Sequence, residues 1–304
     1  VLQMASVPAL ALVDSWQAAA VLIIAERVGK AVRNPPRDVM LSHAAERLDG
    51  YGWTFGVHEA LDQFGALFGP LMVALILARH GSYRQAFAIL LLPASINLLL
   101  VLAARFAYPK PGDPAGATTG QATDPRFAGV YWVYLAGAVL VAAGFADFPL
   151  IAYHFTQAGT VSVDWIAAFY AVAMAVSGTS SLVLGRLFDR YGFRVLIIMT
   201  LIAASFAPLV FLGDFDLALL GAAIWGMGIG VHESIIPAAV APMVPAQRRA
   251  SAFGLFTAGY GIFWFLGSAA IGYLYGLSIA WTIAFCVVTQ LAAVPIFLWV
   301  ARNQ

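Results

Sequence analysis

Few ionisable side chains fall inside the apolar stretches of this chain, and those few are spaced for chemistry. Glu26, Lys30, Arg33 and Arg37 recur at intervals of four, three and four, so on a helix they form one stripe, with Arg27 beside it. His58, Glu59 and Asp62 stand in the next apolar stretch, His58 and Asp62 four apart on one face. Further on, Asp147 and His154 are seven apart on one face, and His232 and Glu233 are adjacent. A carboxylate withdrawn from water holds its proton more tightly and can take it up and release it, which suits coupling to a proton gradient. Glu233 and Asp147 are the preferred carriers on this reading. Two plainer roles compete: a carboxylate permanently paired to Arg27 or Lys30 stays charged, and Arg33 and Arg37 suit snorkelling to lipid headgroups. His and carboxylate pairs also suit a metal-dependent membrane enzyme. Against that, neither His58-Glu59 nor His232-Glu233 has the second His a zinc-protease helix places three residues after the Glu, and no Gly-Lys-Ser/Thr phosphate loop is present.

The elements that must position these residues are membrane helices. With 62% hydrophobic and 10% charged residues, 304 residues carry too little polar material to cover a soluble globule. A span needs about 20 mostly apolar residues to cross roughly 30 Å of hydrocarbon. Runs such as 195–212 are apolar on every face, which fits helices and not the alternation of a barrel strand. Spans are expected at 15–46, 53–78, 84–106, 128–155, 163–187, 193–213, 216–244, 249–275 and 279–301. That is nine, plus the apolar stub of residues 1–12. The chain opens with Val, and its N-terminus is expected to be cut off. Pro35-Pro36 is expected to bend the first span.

Residues 107–127, rich in Pro, Gly and Thr, read as an exposed linker dividing residues 1–106 from 128–304. The single Cys286 excludes an internal disulfide or a cysteine metal cluster. Arg105, Lys110 and Arg126 flank the linker, Arg186, Arg190 and Arg194 mark one later turn, Arg248 and Arg249 another, and Arg302 the tail. The turns between them have no Lys or Arg, so the linker and C-terminus are expected to be cytoplasmic. Arg79 and Arg84 run against this bias. The halves echo each other: Gly29 and Pro36 are seven apart, as are Gly230 and Pro237, and Gly56 and Gly69 thirteen apart, as are Gly254 and Gly267. Packing glycines, frequent in membrane helices, account for the same spacing by chance.

The segment 185–194 resembles the loop signature of the major facilitator superfamily. Gly185, Asp189, Arg190, Gly192 and Arg194 match it, while Phe193 stands where a basic residue is common. The resemblance implies an all-α polytopic bundle of two pseudo-symmetric lobes, here lacking the family's first two helices and most of the third. It implies a solute pathway lined by the spans at 15–46, 128–155 and 216–244, with Arg27, Lys30, Asp147 and Glu233 in it. Arg27 followed by Gly29 partly matches the family's fourth-helix motif. Gly65, Gly69 and Pro70 match the front of the fifth-helix motif of exporters that exchange solute for protons, although the later glycines are absent.

Two glycines permit a tight reversal and close helix approach, and Asp189 can meet the positive N-terminal end of a neighbouring helix. In similar transporters this contact latches the inner gate, so the expected partner is the start of the 53–78 span, near Gly52 to Thr54. A solvated loop placed only by the positive-inside rule is the plainer reading. The expected function is secondary transport of a small solute, coupled to protons, by a monomer in a bacterial inner membrane. No cofactor, metal or nucleic acid is expected. The basic stripe suits an anionic or zwitterionic solute, and Trp225, Tyr260 and Trp264 suit a flat hydrophobic one. A membrane enzyme, a channel, or an inactive transporter fragment are the competing readings.

Overall fold

The computed structural model describes residues 2–48, 50–79, 82–107 and 127–303. In chain order the α-helices are α1 (Leu2–Ala9), α2 (Trp16–Arg47), α3 (Tyr51–Ala78), α4 (Tyr83–Ile89), α5 (Leu91–Ala107), α6 (Gly129–Ala143) and α7 (Phe148–Ala158). They continue as α8 (Val163–Tyr191), α9 (Phe193–Ala203), α10 (Phe206–Leu212), α11 (Phe215–Gly230), α12 (Ile236–Ala238), α13 (Arg249–Leu277) and α14 (Ile279–Arg302). A π-helical turn, Val231–Ile235, joins α11 to α12. No strand occurs among the described residues.

Seven segments among the described residues are long and apolar enough to cross a membrane: 83–107, 129–158, 165–191, 193–212, 215–243, 246–277 and 279–302. The helix α2 is not one of the seven, and the charges at Glu26, Arg27, Lys30, Arg33, Arg37 and Asp38 account for its weak hydropathy. It nevertheless runs as helix through Pro35-Pro36. The expected linker at 107–127 lies almost wholly outside the described residues.

Several expected spans are interrupted rather than continuous. The stretch expected at 128–155 is broken at 144–147, where Gly144 ends α6 and Pro149 starts α7, a proline placement that costs no helical hydrogen bond. The charged segment at 185–194 is mostly helix: α8 continues through Arg190, and only Gly192, at φ +60°, makes the reversal into α9. That left-handed conformation is the one glycine adopts without steric cost. Gly185 instead serves close approach.

The chain forms two compact units, residues 1–40 with 65–122, and residues 41–64 with 123–304. In the second, α8 packs on α11, α6 on α13 and α14, and α9 on α14. Small residues set these contacts. A Cβ on Gly226 would overlap the Ala173 carbonyl oxygen, and one on Gly267 the Ala143 carbonyl oxygen. The core holds Tyr131, Tyr134, Phe145, Phe155, Phe206 and Phe297, each essentially inaccessible. Tyr134 donates to the Ile236 carbonyl at 2.7 Å and Tyr131 to that of Ala252 at 2.9 Å, so neither hydroxyl is buried unsatisfied. Around this core large apolar side chains face outward, among them Ile198, Leu220, Phe265, Trp281 and Val288. A soluble protein does not present such a surface, whereas hydrocarbon solvates it.

In the first unit, α1 lies close on α2: a Cβ on Gly29 would come within 2.7 Å of the Gln3 backbone nitrogen. Arg84, which breaks the charge bias, forms an ion pair with Asp14 in this unit.

Gly226→Ala is expected to lower the melting temperature of the detergent-solubilised protein, because its new methyl meets backbone that cannot yield cheaply. The loss should be about 1–3 kcal/mol. Gly272→Ala, whose Cβ meets nothing within 4 Å, should leave the melting temperature unchanged or slightly raised.

Candidate functional site

Asp189 stands one helical turn after Gly185 in α8. The Gly52 N–H donates to its Oδ1 at 2.7 Å and the Trp53 N–H to its Oδ2 at 2.7 Å. These amides belong to the first turn of α3, where N–H groups have no acceptor within their own helix. The carboxylate therefore caps a second helix and sits at the positive end of its dipole. The contact falls where the family resemblance placed it, near Gly52 to Thr54.

The reach depends on a seam of small residues. Cβ atoms on Gly185 and Gly52 would each overlap the other's carbonyl oxygen, and one on Gly56 would overlap that of Ser181. Gly52 and Gly56 on α3 thus face Gly185 and Ser181 on α8, an antiparallel pairing of residues four apart that brings the two backbones together. The Arg186 guanidinium lies over the Trp53 ring, 3.7 Å from its centroid. Arg190 and Arg194 are exposed.

A second tie lies at the same helix start. Buried Arg249, at the head of α13, pairs with Glu46 at 2.6 Å and donates to the Tyr51 hydroxyl at 2.9 Å. Glu46 lies more than two turns beyond Arg37-Asp38, at the end of α2 and outside the seven apolar segments. The hydrogen bond from Arg249 holds its carboxyl below the ordinary carboxylate range.

The second constellation gathers at the break between α6 and α7. Asp147 occupies the N-cap position of α7 but does not cap it. Its Oδ1 instead accepts from the Trp264 indole N–H at 2.9 Å and its Oδ2 from the Ser268 hydroxyl, both on α13. Trp225 donates to the neighbouring Ala146 carbonyl at 2.7 Å, fixing the broken backbone. His232 is buried, with its ring 4.2 Å from that of Phe145 and 5.4 Å from that of Trp264. Its Nδ1 shares a 2.7 Å hydrogen bond with the Tyr260 hydroxyl, while Nε2 is buried without a partner among the described residues. Glu233, next in the π-turn, is half-buried and within electrostatic range of Tyr260. Asp147 and His232 thus both contact the Trp264 indole. His154, expected on the Asp147 face, bonds Tyr275 at 2.9 Å, so both residues meet α13 at partners that are, like themselves, seven apart.

The other candidates are distributed. On α3, Glu59 is buried and accepts from Gln63, His58 is half-buried and Asp62 is exposed. In the first unit, Glu26 pairs with Arg27 at 3.2 Å and accepts from Gln3 at 3.4 Å. The Arg27 side chain is 72% accessible. Lys30 and Arg33 are half-buried, and Arg37 pairs with buried Asp38 at 2.7 Å. Gly65 and Gly69 do not pack a helix among the described residues: a Cβ on either meets nothing within 4 Å. Both border a cavity of about 370 Å³ together with Gln3, Glu26, Phe68 and Asn97. Pro70 lies in α3, its side chain outside what is described. Among the described residues no three His, Cys, Asp or Glu side chains gather as metal ligands. Neither Ser268 nor the Arg249 tie is marked by any local pattern, since each pairs with a residue more than 100 positions away.

The family model described as Major Facilitator Superfamily matches residues 1–231 and 135–304. An uncharacterized protein of Mycobacterium tuberculosis is 36% identical over 96% of this chain and 73% of its own length. An uncharacterized MFS-type transporter of Methanocaldococcus jannaschii is 27% identical over 88% of this chain and 68% of its own. The crystal structure of the Escherichia coli fucose:proton symporter shares the fold with a TM-score of 0.65 at 16% identity, over 100% of this chain and 81% of that one. The chain belongs to the Major Facilitator Superfamily, and is accordingly an integral-membrane secondary transporter and not an enzyme.

Proposed function

We propose that this transporter moves a small solute by alternating access, with Asp189 as the latch of its cytoplasmic gate. The observation that carries the reading is the paired acceptance of the Gly52 and Trp53 amides by one carboxylate. Opening the gate separates α3 from α8, and each separation gives up hydrogen bonds to a charged group worth about 1.5–3 kcal/mol apiece. That is large enough to bias a two-state equilibrium and small enough to reverse. Arg186 on Trp53 and Arg249 on Glu46 and Tyr51 reinforce the same closed arrangement. The clustering of Arg at this end supports a cytoplasmic face for the latch and the C-terminus.

Coupling to protons is assigned to Glu233 and Asp147, carboxylates at a helix discontinuity of the kind that lines transporter sites. Arg27, Lys30 and Arg33 stand as pathway residues of the other unit. Exchange of solute for protons, which would make the protein an exporter, rests on the Gly65, Gly69 and Pro70 motif. A monomer in a bacterial inner membrane completes the reading.

Asp189→Asn is expected to leave membrane insertion intact while raising amide hydrogen exchange across residues 51–54 by about tenfold or more, the loss of one charge-assisted bond. Unchanged exchange there removes the latch. In vesicles, Glu233→Gln should retain solute counterflow but lose its response to an imposed pH gradient. A wild-type pH response in that variant rules Glu233 out as a carrier.

A further inference from the structure

We infer that the Asp147 site takes the ammonium end of an organic cation carried on an apolar or aromatic body. The inference rests on the pathway reading above and adds the chemistry of the solute. Three observations carry it, all within residues 41–64 and 123–304.

The first is the charge balance. Among the described residues of the segments from 129 to 302, every Arg lies near a segment end, at 186, 190, 194, 248, 249 and 302, and no Lys occurs. Asp147 has no basic partner among the described residues. Its two contacts are a neutral indole and a neutral hydroxyl, which leave the negative charge uncompensated. A carboxylate offers about four acceptor positions, so two remain beyond these bonds. An uncompensated charge at membrane depth is costly, and a cationic ligand supplies what the protein omits.

The second is the wall. Phe145, Trp225, Tyr260 and Trp264 form a connected set of rings, with Phe145 to Trp225 at 5.8 Å and Tyr260 to Trp264 at 5.8 Å between centroids. Ring faces attract ammonium groups and repel anions. On α13, Tyr260, Trp264 and Ser268 follow at intervals of four and are all half-buried, so the polar stripe keeps access.

The third is the orphaned Nε2 of His232, in a ring 96% buried and packed on Phe145 and Trp264. Where Nδ1–H donates to the Tyr260 oxygen, Nε2 is an acceptor awaiting a donor. In that tautomer an ammonium N–H satisfies it, whereas a carboxylate or phosphate does not.

The test uses the purified full chain in detergent, with binding of 2-phenylethylammonium and of 3-phenylpropanoate read by tryptophan fluorescence and calorimetry. The two probes have similar size and opposite charge. Wild type should prefer the ammonium by about tenfold or more. Asp147→Asn should abolish the preference, Trp264→Phe should weaken it by removing the indole donor that orients Asp147, and Asp216→Asn, at an exposed position, should leave it intact. Equal or tighter binding of the carboxylate, or no ammonium binding at millimolar concentration, overturns the inference. Anion binding that Asp147→Asn still alters would overturn the solute class alone and leave the pathway reading standing. Binding of both probes that is indifferent to Asp147→Asn and Trp264→Phe would remove the site from the pathway as well.

Discussion

Hydrocarbon offers a peptide group nothing to bond with, and this constraint organises the whole molecule. A continuous helix meets it internally except at its ends, where amides and carbonyls are left over. The ends of α3 and α8 show the solution. The first-turn amides of α3 are satisfied by a side chain from α8, so the requirement that a helix start be capped becomes a bond between two elements. The same requirement governs the interior break at 144–147, where the Ala146 carbonyl is taken up by the Trp225 indole. Breaks survive where another helix supplies the missing partner.

Close packing is the second half of this solution. Without a hydrophobic drive between helices in lipid, association relies on backbone approach, and glycine is the residue that permits it. Gly52, Gly56 and Gly185 bring α3 within reach of a short aspartate side chain. Asp189 without its glycines would be an unpartnered charge near the end of α8, and the glycines without Asp189 would pack two helices with no capping bond between them.

The helical class and seven of the nine expected spans were legible because each follows from local composition, whereas the partner of Asp189 came from the family resemblance. Apolar length identifies a helix, and a Gly-x-x-x-Asp spacing places a carboxylate one turn beyond a contact glycine. The break at 144–147 was not legible, since Gly144 and Pro149 are both common in continuous membrane helices. The shared face of Asp147 and His154 survives it, because the break precedes both and each meets α13. Gly65 and Gly69 carry the pattern of packing glycines yet border a cavity, because motif spacing reports what a helix could contact and not what lies opposite.

The π-turn at Val231–Ile235 has a bearing on how this segment accepts change. It accommodates one residue more than an ordinary helical turn would, so the strand of backbone bonds carries a surplus without fraying. Deleting a single residue there would let the segment close into uninterrupted α-helix with Pro237 and Val240 still on the faces they present, because the wide turn already absorbs the extra residue. A one-residue change in length is thus contained within the turn, whereas in a regular helix it would rotate all that follows by about 100°.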